Sequence, residues 1–129
     1  MPAAAAIRAL VVDDQMTMRA LIRSSLQQIG FTDIADAVDG EEAFKALVAR
    51  PVNLVLSDYN MPKMDGLELL RAVRAHGPTA KIAFIMLTGR ADKELVQKAV
   101  QLGVNNYISK PFTVADLKKK IENVFGPLT

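Results

Sequence analysis

Cysteine and tryptophan are absent from this chain of 129 residues, and histidine occurs once. Without cysteine there can be no disulfide bond or iron–sulfur cluster, and a single histidine makes a zinc or haem site implausible. A bound metal ion would therefore have to be held by oxygen atoms.

Long apolar runs and long basic stretches are also missing from the sequence. No apolar run approaches the roughly 20 residues that cross a bilayer, and the first residues lack the basic leader of a signal segment. The formal charge is only +2, which gives no reason to expect nucleic-acid binding. We therefore predict a cytoplasmic protein with no membrane span and no nucleic-acid partner.

The composition that remains is that of a folded domain. Half of the residues are apolar and 23% are charged, which is ordinary for a globular protein and unlike a disordered one. The length suits one compact core. We predict a single domain over residues 1–129, most simply a monomer.

Short apolar runs alternate with longer segments of helical periodicity, which is typical of an α/β fold with a parallel sheet. Three of the runs are continuously apolar, as expected for strands covered on both faces. Five strands are predicted, at Ala9–Asp13, Asp33–Ala37, Leu54–Asp58, Ile82–Thr88 and Asn106–Ser109.

Helix boundaries are marked by polar caps and by glycine. A capping residue is followed three positions later by an acid in the pairs Asp39/Glu42, Asp65/Glu68 and Thr113/Asp116. Glycine, which can adopt the left-handed conformation that ends a helix, follows helical segments at Gly30, Gly77, Gly103 and Gly126.

Charged and polar residues stand where the predicted strands end. Asp13 and Asp14 end the first strand, Asp58 the third and Thr88 the fourth, and Lys110 follows the fifth. Because ligands of parallel α/β sheets bind at the carboxyl ends of the strands, these side chains should meet at one edge.

Three carboxylates at one edge require a cation. Two carboxylates about 4 Å apart repel by roughly 4 kcal/mol at an effective dielectric constant of about 20. A few oxygen ligands with room for water suit Mg²⁺ better than Ca²⁺. Successive residues of an extended chain point in opposite directions, so one of Asp13 and Asp14 should bind Mg²⁺ directly and the other through water. An ionised Asp58 beside the metal would be a competent nucleophile for phosphoryl transfer.

Several segments together resemble a response-regulator receiver. They are Val11–Asp14, the stretch from Ser57-Asp58-Tyr59-Asn60-Met61-Pro62 to Met64-Asp65-Gly66, Thr88, and Lys110-Pro111-Phe112. The resemblance covers nearly the whole chain and implies a flavodoxin-like, doubly wound, five-stranded parallel sheet in the order 2-1-3-4-5. Residues 16–19, residues 65–70, Tyr107 and Phe112-Thr113 are most similar to the family's single-domain chemotaxis regulators.

The resemblance implies a role for each site residue. Asp58 is then the phospho-acceptor, and Asp14, Asp58 and the main-chain carbonyl of Asn60 bind Mg²⁺, with Asp13 acting through water. Thr88 and Lys110 contact the phosphoryl group, and Tyr107 turns inward when Thr88 moves. Two positions at the mouth of the site differ from the best-known chemotaxis receivers: Tyr59 in place of Trp, and Arg90 in place of an acid.

The implied partners are a histidine kinase of the chemotaxis type, as phosphodonor, and an output protein. The output surface would be the fourth helix, fifth strand and fifth helix, which includes Ala91, Lys93, Val96, Tyr107, Ser109 and Phe112, with the solvated lysines 118–120 nearby. The output protein would be the flagellar motor switch or another protein that binds this surface. Alternatively, the domain is a phosphate sink that drains the kinase.

Two other classes of protein share features with this chain. A hydrolase of the haloacid-dehalogenase type also combines an aspartate nucleophile with Mg²⁺, but its second aspartate follows two residues after the first, where this chain has Asn60. A flavodoxin-type binder would need a hydroxyl-rich phosphate loop after the first strand, where this chain is acidic. We therefore predict a phospho-accepting signalling protein and not an enzyme.

Overall fold

The computed structural model describes residues 2–89 and 93–129. These residues form five strands that alternate with five α-helices, and two short 3-10 turns at Ala4–Ala6 and Gly77–Thr79. In chain order the elements are β1 Arg8–Val12, α1 Met16–Ile29, β2 Asp33–Ala37, α2 Gly40–Ala49, β3 Leu54–Asp58, α3 Gly66–Ala75, β4 Ala83–Thr88, α4 Lys93–Gln101, β5 Asn106–Ser109 and α5 Val114–Phe125.

All strand pairs are parallel, and the sheet order is β2-β1-β3-β4-β5. This is the predicted doubly wound α/β sheet, in the flavodoxin-like order. Successive residues of β1 point to opposite faces, so that Leu10 and Val11 belong to two separate apolar cores. The core on the Val11 side is covered by α1 and α5, and the core on the Leu10 side by α2, α3 and α4. None of the described helices is long and apolar enough to cross a bilayer.

Three predicted strand boundaries, at both ends of β1 and at the start of β4, are wrong by one residue. β1 begins at Arg8 and ends before Asp13, because Arg8 pairs in register with Asp33 and because the Asp13 carboxylate accepts a hydrogen bond from the Gln15 amide, which turns the chain. β4 begins after Ile82, whose amide donates to Thr79 in the preceding turn.

The predicted helix starts are confirmed. Asp65 and Thr113 each form a reciprocal capping box, and Asp39 accepts from the Glu42 amide. Positive φ values of 123°, 90° and 84° occur at Gly30, Gly103 and Gly126. The helix stop predicted at Gly77 is confirmed, since α3 ends at Ala75, but Gly77 does not adopt the left-handed conformation and instead enters a 3-10 turn stabilised by the proline after it.

Candidate functional site

The carboxyl ends of β1 and β3 bring three carboxylates together. The two strands are neighbours, with Val12 beside Ser57, so the residues that follow these positions lie side by side. Asp13, Asp14 and Asp58 each present an oxygen, and these three atoms lie within 4.8 Å of one another. The predicted convergence of the three acids is therefore present in the fold.

Lys110 lies between two of the acids. Its ammonium nitrogen is 2.9 Å from Oδ1 of Asp58 and 3.2 Å from Oδ2 of Asp13. The lysine reaches this place because its own amide donates to the carbonyl of Thr88, at 2.7 Å, where β4 and β5 end together. One positive charge thus faces three negative charges, and the cluster keeps a negative excess.

The two acids after β1 differ sharply in environment. The side chain of Asp13 is 1% exposed, and it accepts hydrogen bonds from Lys110 and, at 2.9 Å, from the Gln15 amide. Asp14 is exposed to solvent. The carboxylate of Asp14 is therefore the more accessible of the two to an incoming cation.

Burial at the end of β3 raises the pKa of the Asp58 carboxyl, and the nearby Asp13 charge acts in the same direction. The hydrogen bond and the charge of Lys110 oppose the change without cancelling it. Without a bound cation, keeping Asp58 ionised therefore destabilises the folded state.

The raised pKa of Asp58 predicts how replacement of its carboxyl by an amide changes the stability of the fold. A carboxyl whose pKa is raised on folding stabilises the fold below its unfolded-state pKa, and this contribution is lost as the pH rises through the folded-state pKa. In EDTA at neutral pH, Asp58→Asn should therefore be more stable than the parent, since the amide remains uncharged. The advantage should vanish below a pH of about 4, where an unfolded aspartate is protonated. Urea unfolding across this pH range measures the difference.

Asp33 provides a control, because its pKa is shifted in the direction opposite to that of Asp58. A hydrogen bond from Arg8, at 2.8 Å, lowers the pKa of the Asp33 carboxyl. Asp33→Asn should consequently not gain stability at neutral pH. Equal stability of the parent and Asp58→Asn in EDTA at neutral pH would contradict the claim that burial destabilises the ionised Asp58 carboxylate.

The donor set fits a hard divalent cation. The three acids supply only carboxylate oxygens, one of them exposed, and Lys110 balances a single charge. Such a site suits Mg²⁺, which retains several waters and binds through one or two carboxylates. The acidic cluster could therefore hold a metal ion.

Asp58 opens into a cleft of about 500 Å³ between α3 and α4. Thr88, at the end of β4, is 4% exposed and lines this cleft close to Asp58. The residues lining it are Asp58, Tyr59, Asn60, Leu67, Thr88, Gly89, Glu94, Leu95 and Lys98. The predicted site residues Asn60 and Thr88 are thus brought to Asp58.

Tyr107 lies on β5, away from the acid cluster, and its side chain is half-buried. The ammonium of Lys120 is 5.0 Å from the centroid of its ring, which is a cation–π distance. The prediction that residues 118–120 form a solvated face is confirmed for Lys118 and Lys119 but wrong for Lys120, which is partly buried.

Two residues have a role at the site that the sequence did not indicate. Arg19 donates from Nη1 to the main-chain carbonyl of Asp13, at 2.7 Å. Gly66 packs so tightly on β3 that an added Cβ would lie 2.6 Å from the carbonyl oxygen of Asp58. A glycine directly after the capping Asp65 was the available signal, because the first turn of a helix does not need glycine. Arg90 and Ala91, named above, lie outside the described residues.

Comparison with known proteins identifies the family of this chain. A family model described as "Response regulator receiver domain" matches residues 9–122. The chain belongs to the response regulator receiver family. A probable chemotaxis protein CheY of Rhizobium etli is 52% identical over 95% of both chains, and the chemotaxis protein CheY of Pseudomonas aeruginosa is 42% identical over 92% of this chain and 96% of its own.

Solved receiver structures agree with this membership. Chemotaxis protein CheY4 of Vibrio cholerae superposes with a TM-score of 0.86 at 30% identity, covering 92% of this chain and 98% of its own. A receiver domain of a Pseudomonas aeruginosa sensor histidine kinase, with magnesium coordinated in its active-site cleft, has a TM-score of 0.84 at 26% identity over 93% and 98%. A CheX–CheY–BeF₃–Mg complex of Borrelia burgdorferi has a TM-score of 0.85 at 28% identity over 92% and 89%.

Family membership decides between the classes weighed from the sequence. The receiver is a CheY-like chemotaxis response regulator with an acidic pocket of Asp13, Asp14 and Asp58. It is a phospho-accepting signalling protein and not a classical enzyme, as the sequence predicted. The hydrolase and flavin-binding alternatives are thereby set aside.

Proposed function

We propose that the receiver accepts a phosphoryl group on Asp58 from the phosphohistidine of a chemotaxis-type histidine kinase, and that the phosphorylated form binds an output protein. The observation that carries this proposal is the Asp58 carboxylate, held 2.9 Å from Lys110 beside two further acids and at the foot of an open cleft. The domain spans residues 1–129 and acts as a monomer in the cytoplasm.

The chemistry is a direct transfer. A carboxylate oxygen of Asp58 bonds to phosphorus as the phosphorus–nitrogen bond of phosphohistidine breaks, and the electron pair leaves on the imidazole, which is protonated from solvent. Lys110, already beside Asp58, is placed to hold a phosphoryl oxygen, and Thr88 lies at the same cleft. Positioning and charge stabilisation are what such transfers require.

The metal ligands are assigned within this proposal. Asp14, Asp58 and the carbonyl of Asn60 would hold Mg²⁺ directly, and Asp13 would act through water. Both oxygens of Asp13 already accept hydrogen bonds, from Gln15 and Lys110, which supports this order. Bound Mg²⁺ supplies positive charge against the carboxylates and the phosphoryl oxygens.

Substitution of the two neighbouring acids tests the ligand order. Asp14→Ala is expected to weaken Mg²⁺ binding by about tenfold more than Asp13→Ala does, since a direct carboxylate contributes about 1.4 kcal/mol more than one acting through water. Calorimetric titration of each folded variant measures both affinities. Equal affinities would contradict the assignment of the inner ligands.

The switch rests on contacts that form after phosphorylation. Reversing a population from 1:99 to 99:1 takes about 5.5 kcal/mol, whereas a hydrogen bond to a charged group contributes about 1.5 to 3 kcal/mol. Lys110 pairs with two carboxylates already at rest, so its gain is smaller and Thr88 must supply much of the change. Phosphorylation should therefore shift the population incompletely.

The output surface is assigned to α4, β5 and α5. Beside Tyr107, a groove of about 520 Å³ runs between β5 and α5, and two lysines, Lys119 and Lys120, and one acid, Asp116, line it. Val96 and Phe112, which were named above as part of this surface, are half-buried, and Phe112 packs against the core. The basic groove is therefore the better candidate for contact with an acidic partner.

Binding to the flagellar motor switch tests this surface. Beryllofluoride with Mg²⁺ mimics the phosphorylated state, and it should raise the affinity for the acidic N-terminal segment of the motor switch protein by at least about tenfold. In Thr88→Ala the gain should be smaller than about threefold, because the new hydrogen bond is lost. Fluorescence anisotropy with a labelled segment measures both gains.

The outcomes of this experiment separate the two roles. A full gain in Thr88→Ala would contradict the coupling through Thr88. No binding in either state, together with rapid drain of phosphoryl groups from the kinase, would show that the receiver is a phosphate sink.

A further inference from the structure

Arg19 joins the acid cluster to the neighbouring strand from one turn inside α1. Its Nη1 donates to the main-chain carbonyl of Asp13, at 2.7 Å, and its Nε lies 3.6 Å from Oδ2 of Asp36 on β2. The side chain is only 15% exposed. Arg19 is therefore held at both ends of its guanidinium and has little freedom to move.

The carbonyl that Arg19 holds belongs to the peptide group between Asp13 and Asp14. That group is planar, so holding its oxygen sets the direction in which the chain enters Asp14. On the other side of the same residue, the Asp13 amide donates to the carbonyl of Ala37, at 3.2 Å. The main chain of Asp13 is thus held through both its amide and its carbonyl. The peptide group that leads into Asp14 is therefore fixed next to the acid cluster.

We propose that Arg19 is a positioning residue for the cation site. By holding the Asp13 carbonyl, it turns the Asp13–Asp14 peptide so that the exposed Asp14 carboxylate stays within reach of Asp58. The arginine does not touch the cation. This inference rests on the proposed Mg²⁺ site and adds the residue that orients its accessible ligand.

The direction in which Mg²⁺ affinity changes when Arg19 is removed distinguishes a positioning role from a purely electrostatic one. A guanidinium beside an acidic cluster repels a divalent cation, so a purely electrostatic Arg19 would weaken Mg²⁺ binding, and its removal would strengthen that binding. A positioning Arg19 has the opposite effect, because its loss lets the Asp13–Asp14 peptide rotate and costs affinity.

Arg23 offers a matched control on the same helix. Its Nη2 lies 3.3 Å from Oδ1 of the same Asp36, and among the described residues this is its hydrogen-bond partner. Arg23→Ala therefore removes a positive charge and an ion pair to Asp36 while leaving the Asp13 carbonyl in place.

The experiment is a calorimetric Mg²⁺ titration of the full chain with Arg19→Ala, Arg19→Lys and Arg23→Ala. Arg19→Ala should weaken Mg²⁺ binding by about tenfold, the usual cost of losing a group that orients a metal ligand. Arg19→Lys retains one donor and the charge and should recover part of the loss, whereas Arg23→Ala should stay within about twofold of the parent. In EDTA, the Asp14 amide resonance should shift in Arg19→Ala and not in Arg23→Ala.

Three results would overturn the inference. Unchanged or tighter Mg²⁺ binding by Arg19→Ala would show that the arginine acts by charge or not at all. An equal loss in Arg23→Ala would assign the effect to the ion pair with Asp36. No Mg²⁺ binding by the parent chain would overturn the metal site itself and Arg19's role with it. Arg19→Lys retains the aliphatic stem, so it carries the test if the alanine variant fails to fold.

Discussion

Acetyl phosphate with Mg²⁺ is expected to add one phosphoryl group to this receiver, and Asp58→Asn is expected to abolish the addition completely. Among the three clustered acids, Asp58 combines contact with Lys110 with a place on the open cleft. Asp13 is almost fully buried and its two oxygens accept hydrogen bonds. Intact-mass spectrometry before and after incubation measures the label.

Two controls accompany this labelling experiment. Asp33→Asn removes a carboxylate that pairs with Arg8 where β1 and β2 begin, at the opposite end of these strands from the acid cluster, and should leave labelling unchanged. EDTA should suppress the label in the parent chain, because the acid cluster then lacks its balancing cation. A label that persists in Asp58→Asn, or that forms fully in EDTA, would show that the acceptor is misassigned.

Gly66→Ala is expected to be the most damaging single-methyl change near the site. The new Cβ would lie 2.6 Å from the carbonyl oxygen of Asp58, 2.7 Å from Sδ of Met86 and 2.9 Å from Cα of Tyr59. Two of these atoms are backbone, so relief requires moving β3, with Asp58, away from α3. We expect the free energy of unfolding to fall by about 3 kcal/mol and phosphorylation at Asp58 to slow in the fraction that remains folded.

Gly77→Ala is the matched control for this substitution. A Cβ at Gly77 meets nothing within 4 Å, so the unfolding free energy should change by less than about 1 kcal/mol. Urea denaturation of both variants gives the comparison. Equal unfolding midpoints for Gly66→Ala and the parent would mean that the contact between α3 and β3 is looser than the structure indicates.

The arrangement of strands and helices followed from information that is local in the chain. Apolar runs such as residues 83–87 are long enough for one buried strand, and capping pairs such as Asp65/Glu68 place a helix start to the residue. The rule that parallel strands expose their carboxyl ends at one edge then sufficed to bring Asp13, Asp14 and Asp58 together. Sheet order came from resemblance to the receiver family and is confirmed by the pairing of the strands.

Residue spacing alone could not show which of the three acids is hydrogen-bonded and which is open to solvent. It also could not show how the surrounding residues pack. Lys110 meets Asp13 across 97 residues of sequence, and Arg19 captures the Asp13 carbonyl only because α1 folds back beside β1 and β2. The fit of Gly66 against Asp58 likewise depends on the ångström-scale approach of one backbone to another. Burial and hydrogen bonding are properties of the assembled core, so which carboxylate is engaged and which is open to a cation was decided only when the strands and helices packed together.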